Sequence, residues 1–350
     1  MKKNILLLFL LTTVSCLHLL GQDPHFSQNV GTPLYVNPAM TGLYSGDMRL
    51  GISYRNQWAA VSAPYQTLLV SVDGKLNASN RSKGWISGGI QIMSDQAGIV
   101  GLSNNSLEIA LATTTNLGDK HYLSIGALGG LNKRDIGYSE AQFGNQFDGF
   151  GFAPEINSGE VFEQSGISRF SLGGGVVYYY LEDNRNYWYG GVAGYNLVRS
   201  ELAFTINEGD VGLNIPVRLS LQAGGSLNIQ DKIDLVPSAY FMQQGGHWKT
   251  DVGSMFRLIF ENNRRQQVFK AISAGPFVRF TNTTANSIGA DAFIFAVKLD
   301  YDDWAFGLSY DFNLSGLNNA TNGKGGTEVN LVYMPQIRSR KIGPTSCPRF

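Results

Sequence analysis

Cysteine, charge and long apolar runs are scarce in this sequence, and each absence excludes a class of protein. Cys347 is the only cysteine beyond the N-terminal apolar run, so neither a disulfide framework nor a cysteine metal cluster can form downstream. Only 15% of the residues are charged and the net charge is +0, unlike the basic surface of a nucleic-acid-binding protein. Beyond the N-terminus, no run approaches the roughly 18 apolar residues of a membrane helix. If the chain crosses a membrane, it must do so as strands.

The N-terminus resembles a secretion signal. Lys2 and Lys3 precede an apolar run from Ile5 to about Leu20, which predicts a signal peptide over residues 1–21. Lipidation at Cys16 is the alternative, although Thr13 stands where leucine is usual in a lipoprotein cleavage box. The predicted organisation downstream is an N-terminal periplasmic or lumenal segment over 22–46, a transmembrane domain over 47–336 and a basic C-terminal periplasmic tail over 337–350.

Strict alternation is the dominant pattern of the chain from Asp47 onward. In Met48–Arg55 and again in Trp304–Asn313, apolar residues occupy every second position, so a strand would have one apolar and one polar face. Segments of this kind predict about fourteen strands, from a first near 47–56 to a last near 326–336, an even number typical of bacterial outer-membrane barrels.

The connections between these strands favour a barrel over a soluble sandwich. The even-numbered connections are all short, whereas the odd-numbered ones include the three longest, near 134–167, 199–213 and 314–325. Outer-membrane barrels have short periplasmic turns and longer outer loops, so the sequence predicts an all-β fold, an antiparallel outer-membrane β-barrel. Aromatic residues near the strand ends predict interfacial girdles, or reflect only the preference of aromatics for strands: Tyr178, Tyr179, Tyr180, Tyr187, Trp188, Tyr189, Trp304, Tyr310 and Phe312.

No motif for catalysis, cofactor binding or metal binding emerges. The sequence has no GxSxG, HExxH, P-loop or dinucleotide fingerprint, and its histidines are scattered. Asp311–Gly316 matches the first positions of an EF-hand loop, but Asn322 stands at the twelfth position, where a bidentate carboxylate is needed. We interpret this stretch as an ordinary polar loop and expect a protein without enzymatic activity, cofactor or metal.

Two groups of side chains are candidates for binding. Alternation predicts that four polar residues face the lumen, where they line a pore, grip a plug or simply form the polar interior of a barrel: Arg49, Arg55, Arg218 and Gln222. The long outer connection from Arg134 to Ser168 is rich in aromatics, which predicts either a lid folded into the barrel or a protein-binding surface: Tyr138, Phe143, Phe147, Phe150 and Phe152.

Several short stretches of the sequence resemble the PorP/SprF family, outer-membrane proteins associated with the type IX secretion system of Bacteroidetes. The resemblance is densest over residues 22–75 and extends to the last four residues, which follow a basic tail. The stretches that carry the resemblance are Gln22–Gln28, Tyr35–Ala39, Thr41-Gly42, Tyr54–Trp58, Tyr65 and Cys347–Phe350.

This resemblance implies a function that periodicity alone does not. Members are non-enzymatic barrels that support secretion and surface attachment of cargo such as gliding adhesins with type B C-terminal domains, or that couple the periplasmic ring and motor to the outer membrane. The implied partners are periplasmic ring lipoproteins, a peptidoglycan-binding linker protein, a large adhesin C-terminal domain and outer-membrane lipid, with no nucleic acid. A general diffusion porin is the alternative.

By the same resemblance, the N-terminal segment is a candidate plug or partner-binding element. It either lies in the barrel, meets a periplasmic partner, or merely leads into the first strand. Its candidate residues are Asp23, Pro24, His25, Phe26, Tyr35, Asn37 and Pro38.

Overall fold

The computed structural model describes the chain from residue 23 to residue 335 with several gaps. The described ranges are 23–59, 64–77, 84–98, 101–137, 143–158, 166–183, 185–198, 214–263, 268–282, 288–316 and 318–335. The predicted signal peptide, Cys16, Tyr138, the whole 199–213 connection, Cys347 and the predicted tail over 337–350 lie outside these residues.

Fourteen strands form one closed antiparallel barrel, which confirms the predicted fold class. Each strand pairs with its neighbours in sequence, and β1 closes the barrel against β14, with Ile52 opposite Leu331. The strands are β1 Met48–Gln57, β2 Tyr65–Asn77, β3 Gly84–Ala97, β4 Leu102–Gly118, β5 His121–Asp135, β6 Gly166–Leu181, β7 Tyr187–Tyr195, β8 Arg218–Gln230, β9 Ile233–Gln244, β10 His247–Asn263, β11 Val268–Asn282, β12 Ile288–Tyr301, β13 Trp304–Asn313 and β14 Lys324–Tyr333.

Alternation separates the two faces of the barrel wall. Leu111 and Phe306 point outward and are more than two-fifths exposed, whereas Ser53 and Ser309 point inward and are buried. An outward apolar band and a polar interior match the environment of a barrel in a lipid bilayer.

The connections give the barrel two distinct ends. One end, here called the turn end, carries two-residue turns such as Asp119-Lys120, where both residues have positive φ, as a type I′ hairpin requires. The other end, here called the loop end, carries the long connections from Asp135 to Gly166 and from Tyr195 to Arg218.

The predicted aromatic girdle is wrong for part of its members. Trp188 and Trp304 point outward and are 64% and 39% exposed, as girdle residues should be. Tyr179 and Tyr187 are only 1% and 2% exposed, because they fall on the inward phase of β6 and β7. Alternation places neighbouring aromatics on opposite faces, and only the outward ones can meet the membrane interface.

Helical structure is limited to short turns in the described residues: Asn29–Gly31, Pro33–Val36, Pro38–Met40, Gly144–Gln146 and Asn318–Thr321. Among those residues, none of the helices has the length and apolar character needed to span a membrane.

Candidate functional site

The lumen of the barrel contains the chain that precedes β1, and we call residues 23–46 the plug segment. At its start, Asp23 N–H donates a hydrogen bond of 2.7 Å to Oε1 of Gln244, the last residue of β9 at the loop end. Just past its end, Asp47 N–H donates to the carbonyl of Pro335, beyond β14 at the turn end. The plug segment therefore runs through the lumen from the loop end to the turn end.

Prolines shape the middle of the plug segment. Pro33 is the first residue of one helical turn and Pro38 of the next, positions where the missing N–H has no cost. Between the turns Asn37 is extended, and its Oδ1 accepts a hydrogen bond of 2.9 Å from Ala39 N–H. Thr41 Oγ1 donates to the carbonyl of Pro38 at 2.7 Å. The segment is compact because its own side chains bond its backbone.

Asn37 also fixes the plug segment to the barrel wall. Its Nδ2 donates to the carbonyls of Val176 on β6 and Val192 on β7, each at 3.2 Å. Glycines allow the close approach: a Cβ at Gly175 would overlap Asn37 Oδ1, and a Cβ at Gly126 would lie 2.5 Å from the backbone nitrogen of Ala39. The lack of a side chain at these wall positions therefore makes room for the plug segment.

The part of the plug segment near the turn end packs into an apolar cluster. Its members are all buried, and two of them, Tyr122 and Tyr179, stack with ring centroids 4.7 Å apart. Burial of each large apolar side chain stabilises the packed arrangement by about 1.5–3 kcal/mol. The cluster joins Val36, Ala39, Met40 and Leu43 of the plug segment to Trp85, Tyr122, Val177, Tyr179, Leu181, Tyr187, Tyr240 and Met242 of the wall.

The part nearer the loop end meets buried charges instead. Glu328 on β14 accepts two backbone N–H groups of the plug segment, from Ser27 at 2.6 Å and from Gln28 at 2.9 Å. Lys249 on β10 donates to the carbonyl of Phe26 at 3.0 Å. The wall thus binds the backbone of this stretch through ionised side chains, and such hydrogen bonds are roughly twice as strong as neutral ones.

The Ser27 hydroxyl is the centre of this network. It donates to the carboxylate of Asp311 at 2.8 Å and accepts from Arg55 Nη1 at 2.5 Å and Arg279 Nη2 at 2.8 Å. The two arginines also bond Asp311 directly, at 2.8 and 2.9 Å. We call the six side chains of this network the charged cluster: Arg55, Lys249, Asp251, Arg279, Asp311 and Glu328.

A second ion pair holds the plug segment near the turn end. Arg49 on β1 bonds Asp73 on β2 at 2.9 Å and donates from Nη2 to the carbonyl of Met40 at 3.1 Å. The other oxygen of Asp73 accepts the N–H of Gly42 at 2.7 Å. Both partners are almost fully buried, so each charge is compensated away from bulk water.

The guanidinium of Arg218 lies between two aromatic rings, close to the start of the plug segment. Its guanidinium lies 4.1 Å from the ring centroid of Tyr35 and 4.0 Å from that of Tyr195, and it bonds the carbonyl of Tyr35. Asp23 lies 3.8 Å from Arg218 Nε. Gln222, four residues after Arg218 on β8, is also buried and faces inward.

The remaining candidate residues of the plug segment are also packed inside. Phe26 meets the Tyr35 ring edge-on at 5.5 Å, and the Tyr35 hydroxyl donates to the carbonyl of Pro24. Burial lowers the pKa of His25 well below its ordinary value, and the charges of Lys249, Arg279 and Arg55 lower it further. His25 is therefore neutral at neutral pH.

The aromatics of the long outer connection lie apart from the lumenal residues. Phe147 and Phe152 form an isolated β-bridge, and Asp148 Oδ1 accepts the N–H groups of Phe150 and Gly151 in the turn between them. Phe150 is 100% exposed and Phe147 61%, so these rings do not pack into the barrel. Phe143 precedes the short turn Gly144–Gln146 and bonds Gln146 Oε1 through its N–H.

The acidic partners in the lumen were not identified from the sequence. The prediction of an ordinary polar loop at Asp311 is wrong for its first residues, because Asp311 to Asn313 belong to β13 and Asp311 binds two arginines. Their alternation with outward apolar residues indicates that Asp311 and Glu328 face the lumen, and this pattern could have identified them. Within the described ranges, no group of three His, Cys, Asp or Glu side chains is arranged to hold a metal ion.

These features define a class, the transmembrane β-barrel whose lumen contains its own N-terminal segment. The family described as type IX secretion system membrane protein PorP/SprF matches residues 19–333 of this chain. The chain therefore belongs to that family and is an outer-membrane protein of the type IX secretion system.

Solved barrels are similar to the chain at low identity. A Pseudomonas aeruginosa FadL homologue is 11% identical, with 89% of this chain and 95% of that chain covered and a TM-score of 0.49. The TodX monoaromatic hydrocarbon channel deltaS2 mutant is 11% identical, with 85% and 92% covered and a TM-score of 0.46. The Ralstonia pickettii toluene transporter TbuX is 10% identical, with 85% and 91% covered and a TM-score of 0.44. No curated protein matches the chain.

Proposed function

We propose that this barrel is a non-enzymatic protein-binding component of the secretion system, which supports secretion and surface attachment of a large cargo such as a gliding adhesin with a type B C-terminal domain. The observation that carries the proposal is the occupied lumen. Ionised side chains, a glycine cradle and an apolar cluster all hold the plug segment inside the barrel. A lumen filled by the chain itself differs from the open, water-filled channel of a diffusion porin.

The loop end supports cargo attachment over coupling to the periplasmic ring. Outer-membrane barrels direct their long loops outward. The exposed rings of Phe147 and Phe150 lie on the longest connection, and exposed aromatics of this kind are enriched in protein interfaces. If the barrel instead couples the periplasmic ring to the outer membrane, its partners are ring lipoproteins and a peptidoglycan-binding linker protein.

A general diffusion porin is the second candidate, because space remains beside the plug segment. A cavity lies between Ser27–Asn29 and the inner faces of β7 to β12 in the described structure. Its lining includes Tyr187, Tyr189 and Met255. Small solutes would have to pass along this cavity while the plug segment stays in place.

The placement of the histidines supports the non-enzymatic assignment. His25 is buried in the plug segment, His121 contacts the Tyr178 hydroxyl on the outer face near the turn end, and His247 begins β10 at the loop end. A catalytic serine, histidine and carboxylate must lie within hydrogen-bond reach of one another.

Affinity purification from detergent-solubilised outer membranes, with mass spectrometry of the co-purifying proteins, tests the proposal. Recovery of a large secreted protein supports cargo attachment, and recovery of periplasmic ring lipoproteins alone assigns the chain to ring coupling instead. A double variant, F147S with F150S, should lose the cargo while the barrel still folds. A barrel without partners that conducts ions in a planar bilayer would establish the porin.

A further inference from the structure

A second cavity lies at the loop end, on the side of the lumen away from the charged cluster. It lies between the start of the plug segment and the inner faces of β4, β5, β6 and β8. Its polar lining includes Asn104, Ser106, Asn132, Arg169 and Arg218. All five lie within four residues of the loop-end terminus of their strand, so the cavity is at the outer side of the barrel.

Two arginines present unused donors to this cavity. Within the described part of the chain, Nε and Nη1 of Arg169 and Nε and Nη1 of Arg218 are buried and have no hydrogen-bond partner. Arg218 is held in place between the rings of Tyr35 and Tyr195. Buried donors without partners are costly, and a guanidinium is matched best by a carboxylate or a similar oxyanion.

The acidic groups nearby are already engaged. Glu108 accepts hydrogen bonds from Gln91 Nε2 at 2.6 Å and from Ser171 Oγ at 2.8 Å. Asp23 accepts from Asn196 Nδ2 at 3.0 Å and lies beyond hydrogen-bond distance from Arg218 Nε. Arg169 forms no salt bridge in the described ranges, and the charge of nearby Arg134 adds to its own. The lining thus balances two carboxylates, Asp23 and Glu108, against two guanidiniums, but the carboxylates bond neutral partners and leave guanidinium N–H donors without acceptors.

The same cavity also offers unused acceptors. Asn104 Oδ1, Ser106 Oγ and Asn132 Oδ1 have no hydrogen-bond partner among the described residues, and each of these side chains is only 6% exposed. They lie on β4 and β5, next to Arg169 on β6: Ser106 pairs with Asn132, and Asn132 with Arg169. An amide oxygen accepts an N–H group, which a peptide has and a free phosphate lacks.

We propose that this loop-end cavity binds an acidic peptide residue, with Arg169 and Arg218 bonding its carboxylate and Asn104, Ser106 and Asn132 accepting its N–H groups. The residue would belong to the exported cargo, an attribution that depends on the proposed function. The site itself does not depend on it. A carboxylate supplies the acceptors that the two guanidiniums lack, and the peptide N–H supplies the donor that the three acceptors lack.

Ligand-observed saturation-transfer NMR on the full-length protein in detergent tests the site. The probes are N-acetyl-glutamate α-amide, N-acetyl-glutamine α-amide, N-acetyl-glutamine with a free α-carboxylate, and inorganic phosphate as a competitor. We expect the glutamate probe to bind at least about tenfold more tightly than the neutral glutamine amide, since hydrogen bonds to charged groups are the strong ones. A tighter glutamine acid would identify a C-terminal carboxylate as the ligand and would still support the site.

Variants separate the site from general charge effects. Arg169→Gln should weaken the glutamate probe at least about tenfold, and Arg169→Lys should restore part of the affinity. Lys133→Gln is the matched control, because its side chain at the loop end of β5 is 58% exposed and pairs with Asp135. Heat-dependent mobility on denaturing gels, which reports a folded barrel, accompanies each variant.

Three results would overturn the site: equal binding of the glutamate and glutamine amides, unchanged affinity in Arg169→Gln, or displacement of the glutamate probe by phosphate at a lower concentration than the probe itself. Failure of the site leaves the purification of cargo unaffected. Failure of the cargo proposal leaves probe binding unaffected, so the two are distinguishable.

Discussion

The two halves of the plug segment meet different surroundings. Residues 23–32 are held mainly by ionised side chains, as where Glu328 accepts the N–H groups of Ser27 and Gln28. Residues 33–46 are held by apolar packing and by the close approach of wall glycines. Near the turn end, the pair Arg49–Asp73 and Lys75 also bond this half, and Lys75 Nζ donates to the carbonyls of Tyr44 and Gly46. A single short segment thus combines a charged attachment and a packed one.

This difference predicts how each half responds to perturbation. A buried network of charges is directional, and removal of one partner leaves another charge without compensation. Apolar packing depends instead on volume, so an added methyl group is the sharper disturbance there. Protonation of His25 should disturb the first half more than the second, because His25 lies in the first half beside Lys249, Arg279 and Arg55. Hydrogen–deuterium exchange of peptides from each half measures the two separately.

Deletion of residues 23–46, with the signal retained, removes both attachments and has the largest expected effect. The intact chain should show no steady conductance in a planar bilayer, whereas the deletion variant should conduct ions through the polar lumen. Conductance per channel is the measurement, and heat-dependent gel mobility verifies that the variant forms a barrel. Conductance of the intact chain equal to that of the variant would contradict the plugged lumen and favour the porin.

Asp311→Asn disrupts the charged attachment alone. It leaves Arg55 and Arg279 without their shared carboxylate, and loss of one partner of a buried ion pair costs about 3–5 kcal/mol. Chemical unfolding gives the free energy, and exchange should rise in residues 23–32 first. Glu261→Gln is the control, because its pair with Lys270 is exposed and its loss should leave unfolding unchanged. Equal effects of the two variants would refute the importance of burial.

Gly126→Ala disrupts the packed attachment alone. Its Cβ would lie 2.5 Å from the backbone of Pro38 and Ala39, and overpacking of this kind costs about 1–3 kcal/mol. Exchange should rise in residues 37–46 and stay unchanged in residues 23–32. Gly190→Ala is the control, because the nearest atom to its Cβ is 3.8 Å away. An equal rise in both halves would show that the halves act as one unit.

Sequence reasoning predicted the barrel well because its signal is local. The period of two along Met48–Arg55 or Trp304–Asn313 follows from a wall with lipid on one side and polar groups on the other, so strand number and inward phase can be obtained from single segments. The inward positions of Arg49 and Arg55 follow from the same phase.

The pairing inside the lumen is not local, and the sequence could not reveal it. Arg55 meets Glu328 because β1 closes against β14, and Ser27 meets Asp311 because the plug segment passes that point of the wall. Neither contact leaves a spacing that can be recognised in one sequence. The close approach of Gly126 to Ala39 is equally invisible, because a wall glycine has many other possible reasons.

The smallest expected effect comes from acidification, which acts on the charged half through His25. Burial first, and then the charges of Lys249, Arg279 and Arg55, lower the pKa of His25 below its ordinary value of 6.5. The released state therefore takes up a proton more readily than the packed state, and the packed state loses stability as the pH falls below 6.5. The loss is about 1.4 kcal/mol per pH unit until the packed-state pKa is reached.

Above pH 6.5 the imidazole is neutral in both states, and stability should not change through this group. Exchange of residues 23–32 should therefore rise when the pH is lowered from about 7.5 to about 5.5, which is about one unit on either side of the ordinary pKa. The rise is measured relative to His25→Gln at the same pH. The variant has no proton to bind and corrects for the intrinsic pH dependence of exchange. Residues 37–46 serve as the internal reference, since the apolar cluster in which they pack does not include His25. An equal rise in both halves, or the same rise in His25→Gln, would assign the acid response to other groups of the lumen and remove the distinction between the halves.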